Sequence, residues 1–321
     1  MDGTIPGLHH VTAIAGGAPE NLHFYTEVLG LRLVKRTVNF DAPDTYHLYY
    51  GDSAGCPGTL LTFFPFGPVR RGRAGPGMAT EIAFAVPKDA LPYWQGRLAE
   101  HDVETTPGER FGESSLRFTD PDGMTLRLVE AGGAGPGEPE EPEDARQAPP
   151  PHAVRSFHSV ALCLDDPEPT ARLLTDLLGW DEVGEDDGRL RLRAPGRGRA
   201  SALDLLAALD GERGRGGAGT VHHIAFRASD EDDQQAWREE LLGEGLRVTP
   251  VKDRQYFQSI YFREPGGVLF EIATDGPGFL IDEPKEALGT SLKLPDWLEP
   301  RRSEIERQLP PLPSPEETET T

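Results

Sequence analysis

A chain of 321 residues with 37% hydrophobic and 27% charged residues has the balance of a globular protein, and at about 150 residues per domain its length favours two domains. The formal net charge of −22 leaves no basic surface for a phosphate backbone, which excludes nucleic acid as a partner, and the longest apolar runs, such as TLLTFF, fall far short of the roughly 20 residues of a membrane span. Only Cys56 and Cys163 are present and neither lies in a CxxC pair, so any bound metal is expected on nitrogen and oxygen ligands.

The N-terminal MDGTIPGLHH has no basic region followed by an apolar stretch, which predicts a cytoplasmic location. Acidic residues are dispersed, and lysine is reduced to Lys35, Lys88, Lys252, Lys285 and Lys293 against abundant arginine. That bias gives an acidic surface like those of proteins from salt-loving organisms, where excess charge keeps a protein soluble despite screening.

The first predicted strand, LHHVTAIAG from Leu8, is followed by a helical stretch, APENLHFYTEVLG, with apolar residues near i, i+3 and i+4. Short strands follow and close with GCPGTLLTFFPF. The same order returns three times. ATEIAFAVP from Ala79 precedes DALPYWQGRLAEH and TDPDGMTLRLVEA; FHSVALCLD from Phe157 precedes PEPTARLLTDLLG and SALDLLAALD; VHHIAFRAS from Val221 precedes EDDQQAWREELLGEG and REPGGVLFEIATD. Pro-Asp-Gly and Pro-Gly-Gly mark tight turns into the last strand of two copies. The repeat predicts an α+β chain of four βαβββ modules forming two half-open mixed β-barrels. An N-terminal pair of modules spans 5–132 and a C-terminal pair spans 153–276. Between them, residues 133–152 are rich in Gly, Pro and Glu and read as an exposed linker. Beyond them, residues 277–312 form an extension with a short helix suited to clamp on the surface, and 313–321 read as a disordered tail.

The strand Val268-Leu269-Phe270-Glu271-Ile272-Ala273 places a carboxylate inside an apolar run. Burying it unpaired costs several kcal/mol, roughly, so Glu271 needs a cation or a metal. Two modules side by side make a curved sheet whose first and last strands face its concave side. Inward positions on those strands converge. In the fourth copy these are His223 and Glu271, with His10 and Phe63 as the matching places in the first. Glu81 and Arg127 match in the second, and His158 with the strand around Asp204 in the third. His223 and Glu271 with one further histidine make two imidazoles and one carboxylate, the facial set of non-haem Fe(II). Spacing leaves the third ligand open: pairing the first and fourth modules supplies His10, pairing the third and fourth supplies His158. An ion pair of Glu271 with Arg254 or Arg263 is the competing structural explanation.

GLHHVTAIAG, VKRTVNFDAPDTYHLYYGD, PGTLLTFFPF, GERFGE, VHHIAFR and FREPGGVLFEIATD together resemble the vicinal oxygen chelate superfamily, and within it the ring-cleaving dioxygenases that open hydroquinones, the chlorohydroquinone dioxygenase group. The resemblance runs from about Ile5 to LPPL near residue 312. It implies the vicinal oxygen chelate fold, a glyoxalase-like architecture, with Fe(II) on His10, His223 and Glu271; Mn, Zn or Ni are the alternative metals. His158 remains the alternative first ligand, because catechol-cleaving relatives take theirs from the third module. Beside the metal the resemblance implies His222, Arg254 and Tyr261, with Thr12 next to the first ligand. Arg254 would counter developing negative charge, and His222 and Tyr261 would move protons or orient oxygen. The implied partners are a small aromatic substrate and dioxygen, and a homo-oligomer is left open. The implied activity is extradiol-type cleavage of a hydroquinone or catechol-like ring. A glyoxalase-type isomerase and a metal-free binding protein are the alternatives on this fold. The second pair, with Glu81, Arg127 and His158, is then a cup without metal, held by packing and an ion pair. His47 is expected to pack on the sheet, and Phe63, Phe226, Phe257 and Trp94 to fill the core.

Overall fold

The computed structural model describes residues 3–131, 148–195, 201–208 and 212–313. Each module contributes four strands. The first has β1 (Leu8–Ala15), β2 (Arg32–Asn39), β3 (Ala42–Gly51) and β4 (Leu60–Pro65), and the second β5 (Met78–Val86), β6 (Thr106–Arg110), β7 (Glu113–Thr119) and β8 (Thr125–Glu130). The third has β9 (Ser156–Leu164), β10 (Asp181–Asp186), β11 (Arg189–Arg193) and β12 (Ala202–Ala207). The fourth has β13 (Thr220–Ala228), β14 (Lys252–Asp253), β15 (Phe257–Arg263) and β16 (Leu269–Pro277). A helix follows the first strand of every module: α1 (Ala18–His23), α2 (Leu91–Glu100), α3 (Glu168–Arg172) and α4 (Glu231–Gly243). The linker expected over 133–152 lies outside the described residues except for 148–152, and the tail expected over 313–321 does so except for Pro313.

The strands form two eight-stranded mixed sheets, ordered β14-β15-β16-β13-β1-β4-β3-β2 and β10-β11-β12-β9-β5-β8-β7-β6. Each sheet takes one module from each half of the sequence. The first joins modules one and four, the second modules two and three. The seam of the first is the antiparallel pair β1–β13, in which Val11 faces Ile224, His10 faces Ala225 and Thr12 faces His223. This reciprocity makes the pair a local two-fold axis through Val11 and Ile224. Every position on one module therefore has a mate on the other. In the second sheet Ile82 faces Val160, Glu81 faces Ala161 and Ala83 faces Ser159, which sets the same kind of axis.

Helices cover the convex faces because their apolar stripes match the sheets. On α4, Trp237 and Leu241 are buried, and Gln234 satisfies its amide by donating to the backbone oxygens of Gln258 and Ile272. On α2, Trp94 and Leu98 are buried, and the indole N–H donates to His152 O at 2.7 Å. Phe63 and Phe226 join Trp94 in the main core, as expected, and Phe257 lies buried in a second, smaller cluster.

The extension after β16 returns to the outer strands of the first module and ends in α5 (Arg302–Gln308). Its anchor is Lys35, a fully buried ammonium on β2 that contacts Glu283 and lies 2.6 Å from Asp282 Oδ1, with the rings of Tyr256 and Phe279 beside it. Leu292 bridges to Arg36, and Trp297 packs on Phe40. The strap thus braces the β2–β3 hairpin, which forms one wall of the cup. Replacing Lys35 by Met leaves Glu283 buried without its cation, and breaking such a pair costs about 3 kcal/mol. Urea unfolding should register that loss; a Lys35→Met protein as stable as the parent would show that the strap is held by other contacts.

Candidate metal centre

His10 and His223 sit on the two seam strands as mates across the local axis, and Glu271 lies on β16 beside Ala225. The twist and curl of the sheet aim all three at one point. His10 Nε2 and His223 Nε2 are 3.2 Å apart. Glu271 Oε2 lies 2.9 Å from His223 Nε2 and 3.4 Å from His10 Nε2. All three side chains are buried, and among the described residues they form the one cluster of metal-ligating groups whose ligand atoms fall within 4.8 Å of one another.

The partners of the remaining atoms show what this geometry is for. Ser259 donates to Glu271 Oε1 at 2.5 Å, while Oε2 forms no hydrogen bond of acceptable geometry and is buried. His10 Nδ1 is 2.9 Å from His9 Nδ1, and His223 Nδ1 is 2.8 Å from His222 Nδ1. With Nδ1–H donating to these neighbours, both Nε2 atoms carry lone pairs directed at each other and at a carboxylate oxygen. In that tautomer three electron-rich atoms converge in a buried space, the arrangement that a bound cation satisfies. Nitrogen and oxygen donors of this kind suit Fe(II), Mn(II), Zn(II) or Ni(II).

The titration behaviour shows the same demand of Glu271 for positive charge beside it. Burial by itself pushes the Glu271 carboxyl up, but the His10 and His223 imidazoles outweigh it and hold the group well below the usual carboxylate range. Burial lowers His223 despite the pull of Glu271, so the imidazole is kept neutral, as a ligand must be. Burial, helped by His10, also keeps His9 neutral, and burial with His223 takes His222 down to about 4.

The cup opens into a cavity of about 370 Å³ lined by His10, His223, His222, Tyr261, Arg254, His47, Tyr49 and Phe257, with Phe40 and Asp41 from the β2–β3 turn. Arg254 Nε donates to the Tyr261 hydroxyl at 3.2 Å, and its Nη1 lies 3.0 Å from Asp41 Oδ2. Burial, reinforced by Glu271, raises the Tyr261 phenol well above its ordinary value, so it stays protonated. Arg254 is thus not the partner of Glu271. Nor is Arg263, which is exposed and donates to Gly267 O. Thr12 stands beside the cluster, 2.8 Å from Thr62 Oγ1.

Three expectations need correction. The mate of Glu271 in the first module is Thr62, not Phe63: Thr12 pairs with Thr62 as Ala225 pairs with Glu271. A slip of one residue moves a side chain to the other face, and Phe63 faces the core against Tyr25. By the same register the mate of His223 in the third module is Ser159, not His158. His158 stands in the other sheet, with Nε2 3.1 Å from Glu113, so it does not reach the cluster. His47 does not merely pack on the sheet. It lines the cavity with Nε2 2.9 Å from Thr62 Oγ1 and Nδ1 2.8 Å from the Tyr49 hydroxyl. Phe257, buried as expected, also borders this cavity and packs on His9 and His10. Thr62, Tyr49, Ser259 and His9 were not anticipated; of these, only His9 carried a visible signal, the doubled histidine shared with 222–223.

The second sheet fills its equivalent positions with opposite charges. Arg127, mate of Asp204, makes a two-pronged contact with Glu81 at 3.0 and 3.1 Å, joined by Arg110. Arg191 holds Asp204 at 2.6 and 2.9 Å and reaches Glu113. The guanidinium groups supply the cations, and the residual space is about 10 Å³.

Comparison with known proteins follows this geometry. The family model described as the Glyoxalase/Bleomycin resistance protein/Dioxygenase superfamily matches residues 7–128 and 156–272. A Bacillus subtilis (strain 168) protein provisionally named a ring-cleaving dioxygenase, MhqO, is 46% identical over 95% of this chain and 96% of its own. A chlorohydroquinone/hydroquinone 1,2-dioxygenase of Sphingobium indicum is 36% identical over 95% of this chain and 96% of its own. A crystal structure of a provisionally assigned dioxygenase from Bacillus subtilis superimposes with a TM-score of 0.92 at 44% identity, covering 97% of this chain and 98% of that one.

Ligand binding to the folded state raises the unfolding temperature. After chelator treatment, added Fe(II), Mn(II) or Zn(II) should raise the melting temperature of the parent and of Glu81→Gln, and leave Glu271→Gln unmoved. An equal rise in Glu271→Gln would place the metal elsewhere.

Proposed function

The chain belongs to the Glyoxalase/Bleomycin resistance protein/Dioxygenase superfamily, and on that premise we propose that it is a ring-cleaving dioxygenase that holds Fe(II) on His10, His223 and Glu271 and opens a hydroquinone or catechol-like ring with dioxygen. The observation that carries this reading is the orphaned Glu271 Oε2, faced by two imidazole nitrogens at the floor of a cavity large enough for one aromatic ring. Two relatives named for ring cleavage, each aligned over nearly its full length, support the same direction.

A divalent iron held by His10, His223 and Glu271 would supply open coordination for a ring oxygen and dioxygen. The protein does the rest. Aromatic side chains Phe40, Phe64 and Phe257 receive the ring face, and the buried ligand cluster excludes water from the floor of the cavity. Arg254 stays protonated, because Tyr261 and Asp41 outweigh the cost of its burial, and offsets negative charge gathering on the substrate. Tyr261, protonated and oriented by Arg254, has a hydroxyl proton to place on oxygen. His222 is open to the cavity, and when His223 donates from Nδ1 its own proton rests on Nε2, where it can be exchanged with substrate or solvent. Extradiol-type cleavage breaks the ring bond beside the oxygen-bearing carbon and leaves an acid or acyl group with a carbonyl. The glyoxalase-type alternative calls for a fourth ligand, and the place it would take is Thr62, whose hydroxyl is engaged by Thr12 and His47.

Protein loaded with Fe(II) without oxygen should consume dioxygen in step with loss of hydroquinone. Glu271→Ala should abolish uptake, and Tyr261→Phe should lower kcat by about 10- to 100-fold with the metal retained. Turnover of a thiol hemithioacetal by Zn(II)- or Ni(II)-loaded protein, with no oxygen uptake on any dihydroxyarene, would favour the isomerase instead.

A further inference from the structure

The local two-fold axis relates the surroundings of the ligands as well as the ligands. His10 is mated to His223 and His9 to His222. On the next strands Tyr49 pairs with Thr62 as Tyr261 pairs with Glu271, so the two tyrosines are mates, and so are His47 and Ser259, two residues earlier on β3 and β15. At one pair of positions the two halves differ in size in opposite senses. On the fourth module a short Ser259 hydroxyl holds the long Glu271 side chain, whose carboxylate reaches the centre. On the first module a long His47 imidazole holds the short Thr62 hydroxyl, and Thr12 takes its other side. The volume of the pair is roughly kept while the ligand is lost.

We propose that His47 and Thr62 together plug the place of a fourth protein ligand, and so set the number of coordination positions left to substrate and dioxygen. This inference rests on the reading of His10, His223 and Glu271 as the metal ligands. Thr62 is fully buried, its side chain is shorter than that of its mate Glu271, and its hydroxyl is held by two partners, Thr12 and His47. His47 is anchored at both ring nitrogens, by Thr62 and by the buried Tyr49, which in turn packs on Phe279 of the C-terminal strap. The imidazole is therefore a fixed wall of the substrate cavity and positions Thr62 away from the metal. Exchanging the two sizes rebuilds on the first module the arrangement already present on the fourth. The centre would then have two histidines and two carboxylates, with positions for exogenous ligands reduced accordingly.

The test is the double substitution His47→Ser with Thr62→Glu, with Co(II) affinity measured by chelator competition in the absence of oxygen. An added carboxylate ligand should tighten Co(II) binding about tenfold or more, while oxygen uptake of the Fe(II)-loaded protein on hydroquinone falls by a similar factor. A folded double variant, verified by circular dichroism, with parental Co(II) affinity would overturn the proposal. Thr62→Val covers the case in which the double variant does not fold. Its Co(II) affinity should stay within about twofold of the parent, and a loss of about tenfold would mean that the Thr62 hydroxyl is itself a ligand, which contradicts the proposal. Failure of the parent to bind Co(II) at all would instead refute the metal centre on which both readings stand.

Discussion

The fold is organised around one electrostatic demand: a carboxylate with no access to water needs a positive charge. Glu271 stands in an apolar strand with one oxygen satisfied by a serine and the other turned toward two imidazole nitrogens. With both Nδ1 atoms protonated, the imidazoles turn lone pairs inward and supply no charge of their own. In that state a bound cation would meet the demand, and the cluster has the donor set of a metal site. Sheet curvature, the seam between β1 and β13 and the histidine doublets all serve that one point. The doublets matter because each outer histidine can accept an Nδ1 proton from the inner one, and in that tautomer Nε2 is free to ligate.

The two sheets give an internal comparison. They have the same strand order, the same kind of axis and the same four inward positions, yet they meet the demand differently. In one the positions are His10, Thr62, His223 and Glu271; in the other they are Glu81, Arg127, Ser159 and Asp204. Arginines on Arg127 and Arg191 bring covalently attached cations to Glu81 and Asp204 and close the space. With guanidinium in place, that cup is self-contained. Without it, the first cup presents a candidate metal triad and keeps an open cavity above it. Stability and function are thus divided between two copies of one motif. The strap anchored on Lys35 ties the far wall of the open cup to the fourth module, giving a cavity on a curved sheet a fixed rim.

Much of this was legible in the sequence, for definite reasons. Four copies of a strand–helix–strands unit repeat at sufficient length to be seen without alignment, and a carboxylate between Phe270 and Ile272 is conspicuous because its burial is costly. The doublets at 9–10 and 222–223 point to matching strands. What escaped was strand parity. LTFF offers no polar alternation to tell Thr62 from Phe63, and FHS aligned by its histidine places His158 where the register puts Ser159. DTYHLYY is aromatic on both faces, so the outlook of His47 could not be read from it. The joining of modules one and four, rather than sequence neighbours, is a non-local choice made by the β1–β13 seam. No short stretch encodes it.

The most direct test of the central claim is to locate the metal itself. Anomalous diffraction at the iron edge, from crystals of protein loaded with Fe(II) under anaerobic conditions, should show a single strong peak in each chain within about 2.3 Å of His10 Nε2, His223 Nε2 and a Glu271 oxygen. A peak among Glu81, Arg127 and Asp204, or none between the two histidines at full iron loading, would contradict it.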